Sequence, residues 1–570
     1  MRASLSLLLL VPLAAAPAIA APEPATDHWC GTGRTGIEER VAVHRDQQRR
    51  LERRRELEKS APSLPDAVGV GDVAVVVDDG SIIAQPSLLD LDDFAMQYLP
   101  QKKGGYVVSR AADTVSGAIG TRLDLSDDDS RLVKFPRGFK FRFFNKVYPA
   151  MFVHSDGNLT FTAADAASSR RSLFRLLGGP PRIAPLFADL NPETVTGEGG
   201  VFVLASKTKV VVTWLDLPEF GTDNLNTFQV VLHRNGRIVF AYGGLDALQG
   251  VVGVAPGAGG PLQLLDYTAN LPTGILKKAI AERFVAQRTF DELAVAQAFF
   301  REFADDYDHL VVWLDFAQSL GGAFAFELGV KNEILGIGEE VYDFTAEVGS
   351  KGRLRSFVQM GALSRYPEDP DQTFLGTNST LDVLGQETGH RWLAFLHFID
   401  DGGQRSDVLL GRDGSHWSFC HNSLASDMEG NEIREDGGGR FTTVAATERF
   451  SPLDQYAMGL IPAEAVPTFW YVADGCVNRS LAPDIGVGIQ GRRQDVTVDQ
   501  IIAAEGERVP AADRAPHGFN MAFVLVAEAG QFPSAETIAK LDRIRAAWEP
   551  YFGQATDGNG AVSTALKPRP

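Results

Sequence analysis

The sequence predicts a multidomain protein in which an all-β sandwich precedes an α+β unit. Three observations carry this expectation. The chain has 570 residues, and at about 150 residues per domain that leaves room for three or four units. Between 66 and 285, short apolar runs alternate with turn signals, the pattern of a strand-rich sandwich. From 286 onward, helical periodicity and β-rich runs are mixed. Composition is that of a globular chain, 44% hydrophobic and 22% charged. That excludes disordered, collagenous and disulfide-scaffold classes. A net charge of −19 argues against a nucleic-acid partner.

The N-terminus reads as a secretory signal over 1–20. Arg2 supplies the positive end, Leu5 to Leu13 the apolar region, and Ala18-Ile19-Ala20 the small-residue cleavage site. No later stretch reaches 18 apolar residues, so no membrane span is expected after cleavage. The protein is expected to be secreted, periplasmic or at the cell surface. Residues 21–65 follow as a charged helical stalk or propeptide. Arg49-Arg50 and Arg53-Arg54-Arg55 are interleaved with Glu52, Glu56 and Glu58, as on a solvated, self-paired helix.

Residues 66–285 carry the sandwich. Phe139-Lys140-Phe141-Arg142-Phe143 alternates strictly, the period of a half-buried strand. Asp156-Gly157 separates two apolar runs, and Asn235-Gly236 splits Gln229–Leu232 from Ile238–Ala241. Both dipeptides are hairpin signals. Gly138-Phe139 with its Phe-rich strand, Gly157 to Phe161, and Ile183 to Leu190 resemble the opening blocks of nidogen-like (NIDO) domains. Thr213-Trp214, Phe228 to Leu232 and Gly253-Val254 are similar to that family's later strands. The resemblance covers roughly 105–285. It implies an extracellular adhesion or positioning module with a matrix or cell-surface partner.

Residues 286–570 form the α+β unit. Asp291 to Asp306 reads as a helix with Leu293, Ala296, Phe299, Phe300 and Phe303 on one side. His309–Phe316, Ala323–Val330 and Ser356–Met360 are strand candidates. Asn378 or Ser379 can cap a helix running from Thr380 to about Phe398, and Ser534 caps a last helix with Ile538, Leu541, Ile544 and Trp548 inward.

The chemistry concentrates in the helix from Thr380, which contains Gln386-Glu387-Thr388-Gly389-His390. Positions 386 and 390 share a face. In the H-E-x-x-H motif that face holds two metal-binding histidines, with the Glu as base. Here Gln386 stands in the first position. An isolated E-x-x-H more often marks a buried, hydrogen-bonded histidine. Against that, this is the only E-x-x-H in the chain, and four of the ten His fall at 390, 397, 416 and 421.

Gly389 to Trp392, His416-Trp417-Ser418, Met428 to Asn431 and Ser451 to Leu460 resemble blocks of secreted bacterial zincin-like metallopeptidases, over about 290–560. The resemblance implies one zinc ion. Its candidate ligands are Gln386, His390, His416 and Glu429, the third ligand staying open between the last two. Glu387 would then be the catalytic base; Tyr456 is a candidate oxyanion donor and Met428 or Met458 a candidate apolar floor, with core packing the commoner role for each of the three. An amide is a weaker zinc ligand than imidazole or carboxylate. His397 is less suited, because seven helical residues rise about 10.5 Å.

Cys420 and Cys476 are candidates for a disulfide, with Cys420 as a metal ligand the alternative; Cys30 is the odd thiol. Asp127-Asp128-Asp129 and Glu368-Asp369-Pro370-Asp371 are candidates for calcium, with solvated turns as the default. The leading expectation is an exported zinc endopeptidase acting on extracellular proteins or peptides and positioned by the β module. The alternative is an inactive zincin scaffold serving adhesion or binding. A glycan-acting enzyme is the third reading, although no carboxylate pair stands out.

Overall fold

The computed structural model describes residues 33–58, 67–165, 171–259, 261–269, 271–320, 323–476 and 478–569. The predicted signal segment and Cys30 lie outside them. Among the described residues, seven α-helices punctuate a β-rich chain: α1 (Gly33–Glu58), α2 (Leu173–Gly178), α3 (Glu292–Glu302), α4 (Thr380–Gly389), α5 (Pro452–Met458), α6 (Val498–Glu505) and α7 (Ala535–Ala555). None is long and apolar enough to cross a membrane among the described residues.

Two seven-stranded sheets form the sandwich. One runs from Leu262–Leu264 through Gln249–Ala255 and Arg182–Phe187 to Ser130–Lys134. The other is centred on Lys209–Pro218, Leu225–His233 and Ile238–Leu245. Their inner faces share one core that includes Trp214, Phe228, Phe240, Val252 and Ile280. Trp214 and Phe228 stack at 5.0 Å, and the Trp214 indole N–H donates to the His154 carbonyl at 2.9 Å. Both predicted hairpins form. Asp156-Gly157 turns Ala150–His154 into Leu159–Thr160, and Asn235-Gly236 turns Leu225–His233 into Ile238–Leu245. Gly157 cannot be replaced: its φ is +65°, and a Cβ there would lie 1.9 Å from the Leu186 carbonyl oxygen.

The second sheet system departs from the expected boundary at 66. Val73–Val77 runs parallel to Gly518–Ala527, pairing Val73 with Phe523 and Val77 with Ala527. Ala67–Val70 adds to its edge. The strand order is then Gly518–Ala527, His309–Leu314, Ser356–Ala362 and finally Phe326–Gly329, which is antiparallel to its neighbour. Residues 67–77 therefore belong to the α/β unit. Their own Val-rich alternation fits either sheet, so sequence adjacency assigned them to the wrong one.

Alternation sorts this sheet's side chains into two layers. Leu310, Val312, Val524 and Val526 pack against α1 and α3. Val311, Trp313, Phe523 and Leu525 pack against α4 and α7. Asp291 caps α3, accepting from the Ala294 N–H at 3.0 Å. Ser534 caps α7, whose Ile538, Leu541, Ile544 and Trp548 are buried as expected.

Two helix expectations need correction. Residues 33–58 are helical, but they do not form a solvated stalk. Ile37 and Val41 enter the core beside α3 and Phe326–Gly329. His44 Nδ1 lies 2.8 Å from Asp291 Oδ2, while Arg49 and Arg50 each donate at 2.8 Å to sandwich carbonyls, of Leu265 and Arg283. The dense charge conceals a narrow apolar stripe. The central helix ends at Gly389, not near Phe398. The Trp392 and Leu393 N–H groups both turn back to the Gly389 carbonyl, at 2.8 and 3.0 Å, and close the last turn there.

Candidate functional site

Helix α4 is anchored before it is functional. Ser379 and Asp382 form a reciprocal cap: the Asp382 carboxylate accepts from the Ser379 N–H at 2.7 Å, and Ser379 Oγ accepts from the Asp382 N–H at 3.3 Å. The Tyr551 hydroxyl of α7 bonds Asp382 at 2.7 Å and Asp427 at 2.9 Å, tying helix, backing helix and loop together. Gly385 and Gly389 let that loop approach. A Cβ at these positions would lie 2.5 Å from Asp427 Oδ2 and 2.4 Å from Met428 Sδ. Met428 thus packs against α4 at Gly389, in the core.

The motif residues are all buried. His390 Nδ1 donates to the Leu393 carbonyl at 3.2 Å. That contact sets the tautomer, and Nε2 is left with no hydrogen-bond partner among the described residues. His416 returns from the Arg412–Gly414 turn, where Asp413 and Gly414 have φ of +57° and +67°. Its ring stands perpendicular to that of His390, with centroids 4.8 Å apart. His416 Nδ1 donates to the Arg412 carbonyl at 3.0 Å, so Nε2 is the acceptor. That nitrogen receives the Gln386 amide at 3.2 Å and the Arg412 guanidinium at 3.1 Å. Arg412 also pairs with Glu429, through Nε to Oε2 at 3.2 Å and through Nη2 to Oε1. Glu429 Oε1 is 3.9 Å from His416 Nε2.

Glu387 turns toward the edge strand. Burial pushes its carboxyl up to about 8, opposed by the Arg412 charge and by a hydrogen bond from the Glu327 backbone, and reinforced by Glu429. Its Oε2 has no hydrogen-bond partner among the described residues. Burial lowers the basicity of His390 and His416, so both are neutral. A cleft of about 350 Å³ opens over Gln386, Glu387, Arg412 and Glu429, with apolar walls from residues 323–325, Leu375 and Val383. His390 and His416 do not line it; Gln386 and Arg412 lie on the cleft wall while the imidazoles sit behind.

Gln386, Glu387, His390, His416 and Glu429 therefore come together around helix α4. Tyr456 does not join them. It is buried in the core on α5, beside Arg508, away from the cleft lining. Met458 lies in the same core. His397 pairs with Glu505 at 2.8 Å, outside the cluster. Arg412 is the residue that sequence reasoning missed: as part of a Gly-Arg-Asp-Gly turn it carried only a turn signal.

The donor set does not fit a tightly held divalent metal. Its second imidazole already accepts two hydrogen bonds on the nitrogen a metal would need. One position offers a neutral amide, which zinc rarely takes. A fixed guanidinium sits in contact with the same nitrogen. Two unit charges at 4 Å repel by about 4 kcal/mol at an effective dielectric of 20, and a divalent ion doubles that. Among the described residues, no group of three or more His, Cys, Asp or Glu is arranged to hold a metal. Of the calcium candidates, Asp128 pairs with Arg171, and Glu368 with Lys540 and Arg543. Cys420 and Cys476 are joined as a disulfide, their Cα atoms 6.0 Å apart.

A family model described as NIDO related matches residues 105–290. The sandwich is a nidogen-like domain. No curated protein and no solved structure matches the chain. The matched span begins just before the strand Tyr106–Arg110 and ends at Phe290, one residue before the Asp291 cap of α3. The nidogen-like domain thus meets the α/β unit without a linker, and α1 lies across both.

Proposed function

We propose that this is an exported binding protein. Its α/β unit is a zincin-type scaffold that takes extracellular protein or peptide segments in the cleft without hydrolysing them, and the nidogen-like domain positions it on a matrix or cell surface. One observation carries this reading: the His416 Nε2 lone pair is already shared by Gln386 and Arg412. A cleft with apolar walls and a polar floor of amide, carboxyl and guanidinium groups suits recognition of a backbone with side chains.

The second reading, a zinc endopeptidase, is favoured by a different observation. Glu387 Oε2 and His390 Nε2 are buried with no hydrogen-bond partner among the described residues, and orphaned polar atoms call for an unseen ligand. The two readings separate by experiment. The mature chain is incubated with zinc and a mixture of unfolded proteins, and the products are read by mass spectrometry beside a Glu387→Gln control. No new termini are expected from either. Cleavage by the wild-type chain that disappears in the control establishes the peptidase and rejects the binding reading.

A further inference from the structure

Away from α4, a second pocket of about 140 Å³ opens beside the strand His421–Asn422, and its lining shares no residue with that of the cleft. His421 lies in its wall, with both ring nitrogens buried and without a hydrogen-bond partner among the described residues. We infer that this pocket is a binding site for a phenolic ring, whose hydroxyl meets the His421 imidazole and whose ring packs against Leu453, Phe469 and Trp470. The inference goes beyond the reading of the cleft and stands or falls without it.

The other buried polar side chains of the lining are engaged. Asn422 Oδ1 accepts from the Ile433 N–H at 2.8 Å, Ser423 Oγ donates to the Asn431 carbonyl at 3.2 Å, and Ser451 Oγ accepts from the Asp454 N–H at 3.2 Å. The His421 ring is fixed by aromatic neighbours, with Trp417 edge-on at 5.0 Å and Phe469 at 5.6 Å. Burial pushes its imidazole down to about 3, so it is neutral and offers one donor and one acceptor. A hydroxyl, itself both donor and acceptor, suits either nitrogen. Charge argues against an anion. The Arg493 guanidinium in the lining is already met by Asp495 at 2.7 Å and Glu435 at 3.5 Å, and it covers the Trp470 ring at 4.9 Å. Size selects a single ring, since a cavity of roughly 150 Å³ takes benzene. Leu453, Phe469 and Trp470 are buried apolar walls, which favour a ring over water. The wall at Leu424 is held under strain: Leu424 and Ala425 have φ of +57° and +58°, and the Ala425 carbonyl is fixed by the Glu448 N–H at 2.8 Å.

The test is calorimetric titration of the whole chain with p-cresol and with toluene, probes of one shape that differ by the hydroxyl. Wild type is expected to bind one p-cresol per chain, at least roughly tenfold more tightly than toluene. His421→Leu, which turns that wall apolar, is expected to invert the preference. If this variant does not fold, Thr468→Trp serves: position 468 is an exposed lining residue, and an indole there is expected to close the pocket to both probes. N-acetyltyrosinamide identifies the source of the ring. Its competition with p-cresol assigns the pocket to a tyrosine side chain of a partner segment, and its exclusion while p-cresol binds assigns it to free phenols. Wild type that takes toluene as tightly as p-cresol overturns the inference. So does a folded His421→Leu or Thr468→Trp chain with unchanged p-cresol affinity, and so does a wild type with no saturable p-cresol site, which would leave His421 to water. Peptide cleavage by wild type would remove the reading of the cleft and leave this pocket as it stands.

Discussion

Glu387 and Gly389 show how closely the floor of the cleft is specified. The Glu387 carboxyl is raised to about 8 by burial, whereas in the unfolded chain it ionises near its ordinary value. The fold holds the proton more tightly, so this group's contribution to stability is lost as pH rises from about 4.5 through 8. Glu387→Gln keeps the shape and removes the titration. It should raise the thermal midpoint at pH 8 and leave it unchanged near pH 4; an equal rise at both values would point to packing, not ionisation. Gly389 faces Met428 so closely that Gly389→Ala forces the sulfur aside. A loss of about 1–3 kcal/mol, typical of overpacking, should appear in the denaturant midpoint. A neutral result would mean that the loop carrying Met428 shifts freely.

At the scale of elements, α1 and α4 differ in what their sequences disclose. Helix α4 announces its start, because Ser379 and Asp382 satisfy its first backbone donors locally. Its end at Gly389 carries no such signal in the sequence: the C-cap is His390, itself in the αR conformation. Helix α1 announces its helicity through interleaved charge, but its apolar stripe is only a few residues wide. Its partners are distant in sequence: Asp291 for His44, Leu265 for Arg49, Arg283 for Arg50. Charge-assisted bonds of this kind contribute about 1.5–3 kcal/mol each. Replacing Arg49 and Arg50 together by Ala should uncouple the nidogen-like domain from the α/β unit, splitting one calorimetric unfolding transition into two. A single transition with an unchanged midpoint would show that the strands alone couple the units.

Across the whole molecule, buried titratable groups should dominate the response to pH. Burial raises Asp156 to about 6, Asp189 and Glu339 to about 7, and Glu282 and Glu387 to about 8. These groups take up protons on folding, so stability falls as pH rises from about 4.5 to 8. Burial lowers His154 and His421 to about 3. The unfolded chain binds the extra protons there, and stability falls as pH drops from about 6.5 toward 3. Between about pH 4 and 6.5 the five carboxyls outweigh the two imidazoles, so the maximum from these groups lies near pH 4. Thermal midpoints across a pH series test this; a maximum above pH 8 would contradict the burial of these carboxyls.

What the sequence determined by itself is local. The hairpins at Asp156-Gly157 and Asn235-Gly236, the caps at Asp291, Ser379 and Ser534, and the alternation of each strand depend on residues within one or two turns of each other. So does the pairing of Gln386 and His390 on one helical face. The nidogen-like pattern was legible for the same reason, since it is a succession of such local blocks. Only the tertiary structure decided where long-range partners meet. It placed Val73–Val77 beside Gly518–Ala527, drew Cys420 to Cys476, and withdrew Tyr456 into the core. It also set Arg412 against His416 with Glu429 behind it. Hydrophobic burial is non-directional and strand registers are interchangeable, so a stretch of sequence carries no address for a distant neighbour; the packed core supplies it. Whether the cleft holds a metal or a guanidinium is a question of such neighbours, and the motif alone was silent on it.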